Sequence, residues 1–111
     1  MKAGRELDAL IAEEVMGWTN VTHRFAMGTH PDGRTGCEVD DYSTDIAAAW
    51  RVVDQAEHED FEVELIFTPS NGWSVTMGCG ERFGSATAET SDELPFAICL
   101  AFLKAKGGVT P

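Results

Sequence analysis

Basic residues are scarce in this chain. Eight Lys and Arg stand against 19 Asp and Glu, a formal net charge of −11. Such a field repels nucleic-acid backbones and anionic membranes and favours basic partner surfaces, so direct binding of DNA, RNA or a membrane is not expected. Cysteine is equally sparse. Cys37, Cys79 and Cys99 are odd in number and show no CxxC spacing, which argues against a disulfide framework. Cys99, inside "PFAICLAFL", reads as a small buried hydrophobe. No apolar run approaches the ~20 residues of a membrane span, and "MKAGRELDALIAEEV" lacks the apolar core of a signal peptide. These absences together describe a soluble protein of a reducing compartment.

Apolar residues make up 43% and charged residues 24% of the 111, a globular composition. One domain, 1–111, accommodates this length, and a domain of this size buries roughly two-thirds of its unfolded surface. The spacing of Leu7, Leu10, Ile11 and Val15 predicts a helix from about Arg5 to Met16, with Glu6, Asp8, Glu13 and Glu14 largely off its apolar face and Gly17 as its stop. Residues 19–41 show no sustained period and three turn signals, and read as a long loop of the kind where function often sits.

In "YSTDIAAAW", Ser43 or Thr44 is the expected cap, and Asp45 suits the positive end of the helix dipole. Ile46, Ala49, Trp50 and Val53 recur at i, i+3, i+4 and i+7, a core stripe running to about Glu57. The alanines let this helix lie close to a neighbour, while Trp50 supplies packing volume. "FEVELIF" alternates Phe61, Val63, Leu65 and Phe67 inward, an Asn-Gly turn follows, and Trp73, Val75 and Met77 resume the alternation. "FGSATAE" reads as a third strand. Ser91 is the candidate cap of a last helix with Pro95 in its first turn, apolar nearly all round and therefore central. The order predicts an α+β layered sandwich, three helices on a small antiparallel sheet made of a hairpin and a third strand.

"GRELDALIAEEVMGW", "YSTDIAAAW" and "AICLAFLKAKG", in that order and with Trp73 between the last two, resemble the phage ABA sandwich domain proteins of bacteriophage and prophage genomes. The resemblance implies a phage or prophage origin and an α+β sandwich; with the reducing compartment read above, the cytoplasm of the bacterial host is the expected location. It carries no catalytic residue set. Two features depart from the family pattern: the long loop before Tyr42, and the acidic 54–64 segment. This chain's own function is expected there.

"DQAEHEDFEVE" holds Asp54, Glu57, Glu59, Asp60, Glu62 and Glu64 without a Lys or Arg. The ordinary reading of such a run is a solvated face. The functional one is a negative patch, extended by Asp40 and Asp41, that occupies a basic nucleic-acid-binding groove by imitating the phosphate field. His23, His30 and Cys37 match no closed zinc spacing, and surface histidines are the ordinary reading there. "MGCGERFG" opens no helix and so makes a poor phosphate cradle. Cys79 would be nucleophilic only beside a base or positive charge. No catalytic or cofactor motif is present, so neither an enzyme nor a cofactor is expected.

The leading expectation is a non-catalytic binder acting as a host-defence inhibitor, for instance on a CRISPR effector complex, through its acidic patch. An alternative from another class is a small-ligand binder that sequesters a nucleotide. Tyr42, Arg24 and Arg34 would line its pocket, with Arg51 and Arg82 as further cations. A phage assembly component is a third reading.

Overall fold

The computed structural model describes residues 2–107. Helix α1 (Arg5–Glu14) leads into an antiparallel sheet of β1 (Thr19–Thr22), β2 (Met27–Thr29) and β3 (Cys37–Glu38). Helix α2 (Ile46–His58) follows, then a second antiparallel sheet of β4 (Glu62–Thr68), β5 (Gly72–Cys79) and β6 (Arg82–Ala88). A 3-10 turn, Ser91–Glu93, precedes helix α3 (Leu94–Ala105). The fold is an α+β sandwich, with the hairpin, third strand and three helices where the sequence predicts them. No helix among the described residues is long and apolar enough to cross a membrane.

Helix α3 is central for the reason its composition gives. Ala97, Ile98, Cys99, Ala101, Phe102 and Leu103 are completely buried, because the helix packs on β5 and β6 on one side and on α2 and α1 on others. Phe61 meets Phe102 edge to face at 5.1 Å. The second sheet turns alternate residues toward α3. Leu65 lies opposite Val75 and Val75 opposite Ala86, while Met77 sits between Val63 and Gly84. Residues of the other parity, Glu62, Glu64, Thr76, Phe83 and Ser85, face away. Gly84 lets α3 lie directly on β6: a Cβ there would press on the Ala101 carbonyl oxygen and lie 2.5 Å from the Ala105 nitrogen. Phe67 shares the inner face by register, opposite Trp73. Next to the hairpin turn on an edge strand it only leans on that ring and stays 56% exposed, contrary to the inward expectation.

Helix α2 corrects a second expectation. Its buried face is Ala48, Ala49, Val52, Val53 and Ala56, while Ile46 and Trp50 are 47% and 48% exposed. Two stripes at i, i+3, i+4 and i+7 overlap here: 46-49-50-53 and 49-52-53-56. Packing against α3 and β4 selects the one made of small residues. Trp50 is thus left on the surface. The cap is neither Ser43 nor Thr44 but Asp45, whose carboxylate accepts the Ala47 N–H at 3.3 Å. At the last helix, Ser91 heads the 3-10 turn instead of capping α3, and Pro95 occupies the first turn as predicted.

Helix α2 ends in a Schellman arrangement. Phe61 N–H donates to Ala56 O at 2.9 Å and Asp60 N–H to Glu57 O at 3.0 Å, which requires the intervening Asp60 to adopt φ 64°. A left-handed conformation costs an ordinary L-residue about 1–2 kcal/mol, and glycine essentially nothing. Asp60→Gly is therefore expected to stabilise the fold by about 0.5–1 kcal/mol, the remainder being offset by glycine's larger unfolded-state entropy. Urea unfolding checks this; a lower midpoint would show that the Asp60 side chain holds the turn in some other way.

Residues 19–41, read from sequence as a loop, carry the first sheet. Its strands are two to four residues long, too short for alternation to show. Tertiary contacts fix them. Arg5 of α1 donates to Val39 O at 3.0 Å and to Ala26 O at 3.3 Å, and Val39 N–H donates to Ala26 O at 2.9 Å.

The "YST" residues before α2 lock onto α1. Asp8, expected off the apolar face, is 1% exposed, and its Oδ1 accepts from Ser43 N–H at 2.8 Å and from Ser43 Oγ at 2.7 Å. Ser43 Oγ in turn accepts the Gly4 N–H at 2.9 Å. Tyr42 is buried beside them: its hydroxyl accepts from Trp18 Nε1 at 3.2 Å, and its carbonyl faces Cys99 Sγ.

Candidate functional site

Three of the eight carboxylates singled out from the sequence are engaged inside the fold. Arg51 Nη1 donates to Asp40 Oδ2, Arg5 Nη1 to Asp41 Oδ1 and Lys106 Nζ to Glu59 Oε1, each at 2.7 Å. Partial burial opposes ionisation of Glu59, but hydrogen bonds from Lys106 and Gln55 outweigh it and hold its carboxyl below the usual range.

The other five, Asp54, Glu57, Asp60, Glu62 and Glu64, are exposed and make no ion pair among the described residues. They follow one path along the chain. Ile46, Trp50, Asp54 and Glu57, at i, i+4, i+8 and i+11, are all exposed on one face of α2. Asp60 forms the turn, and Glu62 and Glu64 point outward from β4. There Asp60, Glu62 and Glu64 border an open concavity of about 370 Å³ with Thr76, Cys79 and Phe83. No Lys or Arg lines it, and Phe83 is 63% exposed at its edge. Cys79 borders this concavity among carboxylates, with Arg82 as its register partner across the β5–β6 hairpin. The glycines around it belong to the β5–β6 turn, where Gly80 has φ 61°.

A second, larger cavity of about 490 Å³ opens between the first sheet, the end of α1 and the side of α2. Trp18 and Tyr42 lie at its buried end, and Arg34, Glu38, Asp40 and Arg51 line it as charged groups. His30 meets Trp18 edge-on at 4.9 Å. Burial, with Asp40 nearby, pushes the Tyr42 hydroxyl up to about 12, so it stays a neutral phenol at physiological pH. Arg34 Nε donates to Asp32 Oδ2 at 2.7 Å, and the Arg34 backbone N–H, with that guanidinium, holds the Asp32 carboxyl below its ordinary value.

The structure therefore brings together Tyr42, Arg34 and Arg51 of the ligand-binding alternative. It leaves Arg24 outside, its guanidinium over the Phe25 ring at 5.3 Å. Arg82 is exposed and lines neither cavity. Trp18, a candidate beside Tyr42 from the sequence, lines it too, while Glu38 and Met16 join the lining without any sequence signal that they would. His23 pairs with Glu13 at 2.9 Å, apart from His30 and Cys37, and no metal-holding group of three His, Cys, Asp or Glu occurs among the described residues. Burial pushes the Cys99 thiol far up, as suits a core hydrophobe.

The family model described as the phage ABA sandwich domain matches residues 9–103. Among solved structures, the chain is similar to a 2.0 Å crystal structure of a phage protein from Bacillus cereus ATCC 14579, with a TM-score of 0.74 and 23% identity. The match covers 96% of this chain and 90% of that one, a likeness of fold. No curated protein matches.

Proposed function

The chain belongs to the phage ABA sandwich domain family, and from that premise we propose that it is a non-catalytic binder that docks an acidic surface on a basic, nucleic-acid-binding host protein. One observation carries this reading. The eight carboxylates divide into three paired with internal cations and five without an ion pair among the described residues, on one path from Asp54 to Glu64. An unpaired series of this kind attracts Lys and Arg clusters that otherwise grip phosphates, and it speeds encounter with them. The apolar element a docking surface needs stands at the head of the same helix face. Trp50, half exposed one turn before Asp54, belongs to the residue type most often found as an interface anchor. In its concrete form the protein is a host-defence inhibitor, with a CRISPR effector complex as one candidate target, acting from the bacterial cytoplasm.

The test uses the immobilised full-length protein, a bacterial lysate freed of nucleic acid, and elution in salt steps. A quintuple variant, Asp54→Asn, Glu57→Gln, Asp60→Asn, Glu62→Gln and Glu64→Gln, serves as comparison. Basic nucleic-acid-binding proteins are expected on the wild type, released by rising salt and lost by the variant. The captured protein should also lose nucleic-acid binding when the wild type is added. Retention of the same proteins at the same salt by the variant would overturn the reading.

A further inference from the structure

We propose that the cavity between the first sheet and α2 is a binding site for a nucleotide with a guanine-type base. Its position separates it from the acidic surface, since none of the five unpaired carboxylates lines it.

Size comes first. About 490 Å³ falls within the ~300–1,000 Å³ typical of small-molecule sites. The charges come next: two arginines stand with two carboxylates, Glu38 and Asp40, in the lining, so the site lacks the acidic excess of the rest of the chain. In a chain with only eight basic residues, two arginines converge on one opening from separate elements, Arg34 from the loop after β2 and Arg51 from α2. Each is oriented by a single aspartate: Arg34 donates from Nε to Asp32 and Arg51 from Nη1 to Asp40. Neither pairing uses the whole guanidinium. Both Nη groups of Arg34, and Nε and Nη2 of Arg51, make no hydrogen bond among the described residues. Two planar forks, each drawn to one carboxylate and with donors to spare, suit a phosphate, which accepts bidentate hydrogen bonds.

The remaining lining specifies the other end of the ligand. Met16, His30 and Pro31 supply the open apolar and aromatic surface for a flat ring, with Trp18 and Tyr42 buried behind them. Glu38 makes no ion pair among the described residues, and a carboxylate accepts only. A carboxylate at the wall of an aromatic cavity calls for a ring edge carrying adjacent N–H donors. Guanine has such an edge; adenine, with a ring acceptor beside its amino group, does not. The base thus lies toward Trp18 and Tyr42 with its donor edge on Glu38, and the phosphate lies at the arginines.

Equilibrium dialysis of the full chain against GMP, AMP, guanosine and orthophosphate tests this, with circular dichroism to confirm that each variant is folded. Saturable binding of GMP is expected, at least about tenfold tighter than that of AMP, guanosine or orthophosphate, the scale of one lost charge-assisted hydrogen bond. Arg34→Gln and Arg51→Gln should each weaken GMP about tenfold or more. Glu38→Gln should narrow the gap between GMP and AMP, weakening GMP more than AMP. Absence of saturable GMP binding overturns the proposal, as does GMP affinity indifferent to both arginine substitutions. Orthophosphate binding as tightly as GMP would reduce the site to an anion site and overturn the nucleotide assignment. The quintuple carboxylate variant should bind GMP as the wild type does, so loss of the docking surface and loss of this site are separable.

Discussion

Gly84→Ala is expected to destabilise the protein by about 3 kcal/mol or more, and Gly84→Val to leave little folded protein at all. The atoms a new Cβ meets are the Ala101 carbonyl and the Ala105 nitrogen, both main chain, with the Lys104 Cβ at 2.9 Å. A clash with the tip of a side chain relaxes by a change of rotamer. A clash with helix backbone relaxes only if α3 lifts off β6, and α3 is also the surface on which β5, α2 and α1 pack. Insertion of bulk into a packed core costs typically 1–3 kcal/mol even where side chains can adjust, so a rigid neighbour places this site at or above that range. Against a total stability of about 5–15 kcal/mol for a small domain, the valine variant is close to the limit. Thermal unfolding followed by circular dichroism gives the answer. A fall in Tm of at least roughly 10 °C is expected for the alanine variant. A fall of only a degree or two would mean that α3 and β6 stand further apart than described.

Asp8 supplies the second large effect, and here two substitutions should behave oppositely. The carboxylate accepts both the backbone N–H and the hydroxyl of Ser43 through the same oxygen, Oδ1. Its other oxygen, Oδ2, is buried with no hydrogen bond, only the Arg5 guanidinium at 3.6 Å. Asp8→Ala removes the acceptor, strands the buried Ser43 N–H and leaves the Ser43 hydroxyl only the Gly4 carbonyl at 3.3 Å, an expected loss of about 2–4 kcal/mol. Asp8→Asn keeps an acceptor oxygen for Ser43 and removes a buried charge, so it should cost less than about 1 kcal/mol.

The two differ in pH dependence as well. Burial raises the Asp8 pKa above its ordinary value, more than the Ser43 hydrogen bonds and Arg5 lower it. A carboxyl whose folded pKa is raised binds more protons folded than unfolded between the two values. Its contribution to stability is fully present below the unfolded pKa and is lost as pH rises through the folded one. The wild type should therefore show a component of stability that declines from about pH 4 upward, and Asp8→Asn should lack it. Identical pH profiles for the two proteins would show that Asp8 ionises in the fold as readily as in water.

Legibility in the sequence followed the length of each element. The hairpin was readable because Asn71-Gly72 sits between two strands of seven and eight residues, and Gly72 takes the φ of 75° that the turn requires. Helix α3 was readable because its residues are apolar on every side. The first sheet was not, since strands of two to four residues carry no period and depend on Arg5, distant in sequence, to hold them. Trp50 shows a different failure: two equally good helical stripes overlap in α2, and only the neighbours decide between them. The cavity was half visible. Arg34, Arg51 and Tyr42 were among the candidates, but four arginines cannot be sorted without knowing that Asp32 and Asp40 orient two of them. Asp40, grouped from sequence with the acidic patch, belongs to that cavity instead.

The position of α3 in the chain has a consequence for how the protein is made. The second sheet, α2 and α1 pack against this helix, yet it leaves the ribosome after all of them. The β4–β5–β6 meander, built from neighbouring strands, is complete before any residue of α3 has been translated. During that interval Val75, Met77 and Trp73 have no helix to cover them, on a sheet with two open edges. The carboxylates of β4 then guard one of those edges, since Glu62 and Glu64 repel a second nascent copy at close range. The charge that equips the finished protein to meet a partner also keeps its half-made forms apart.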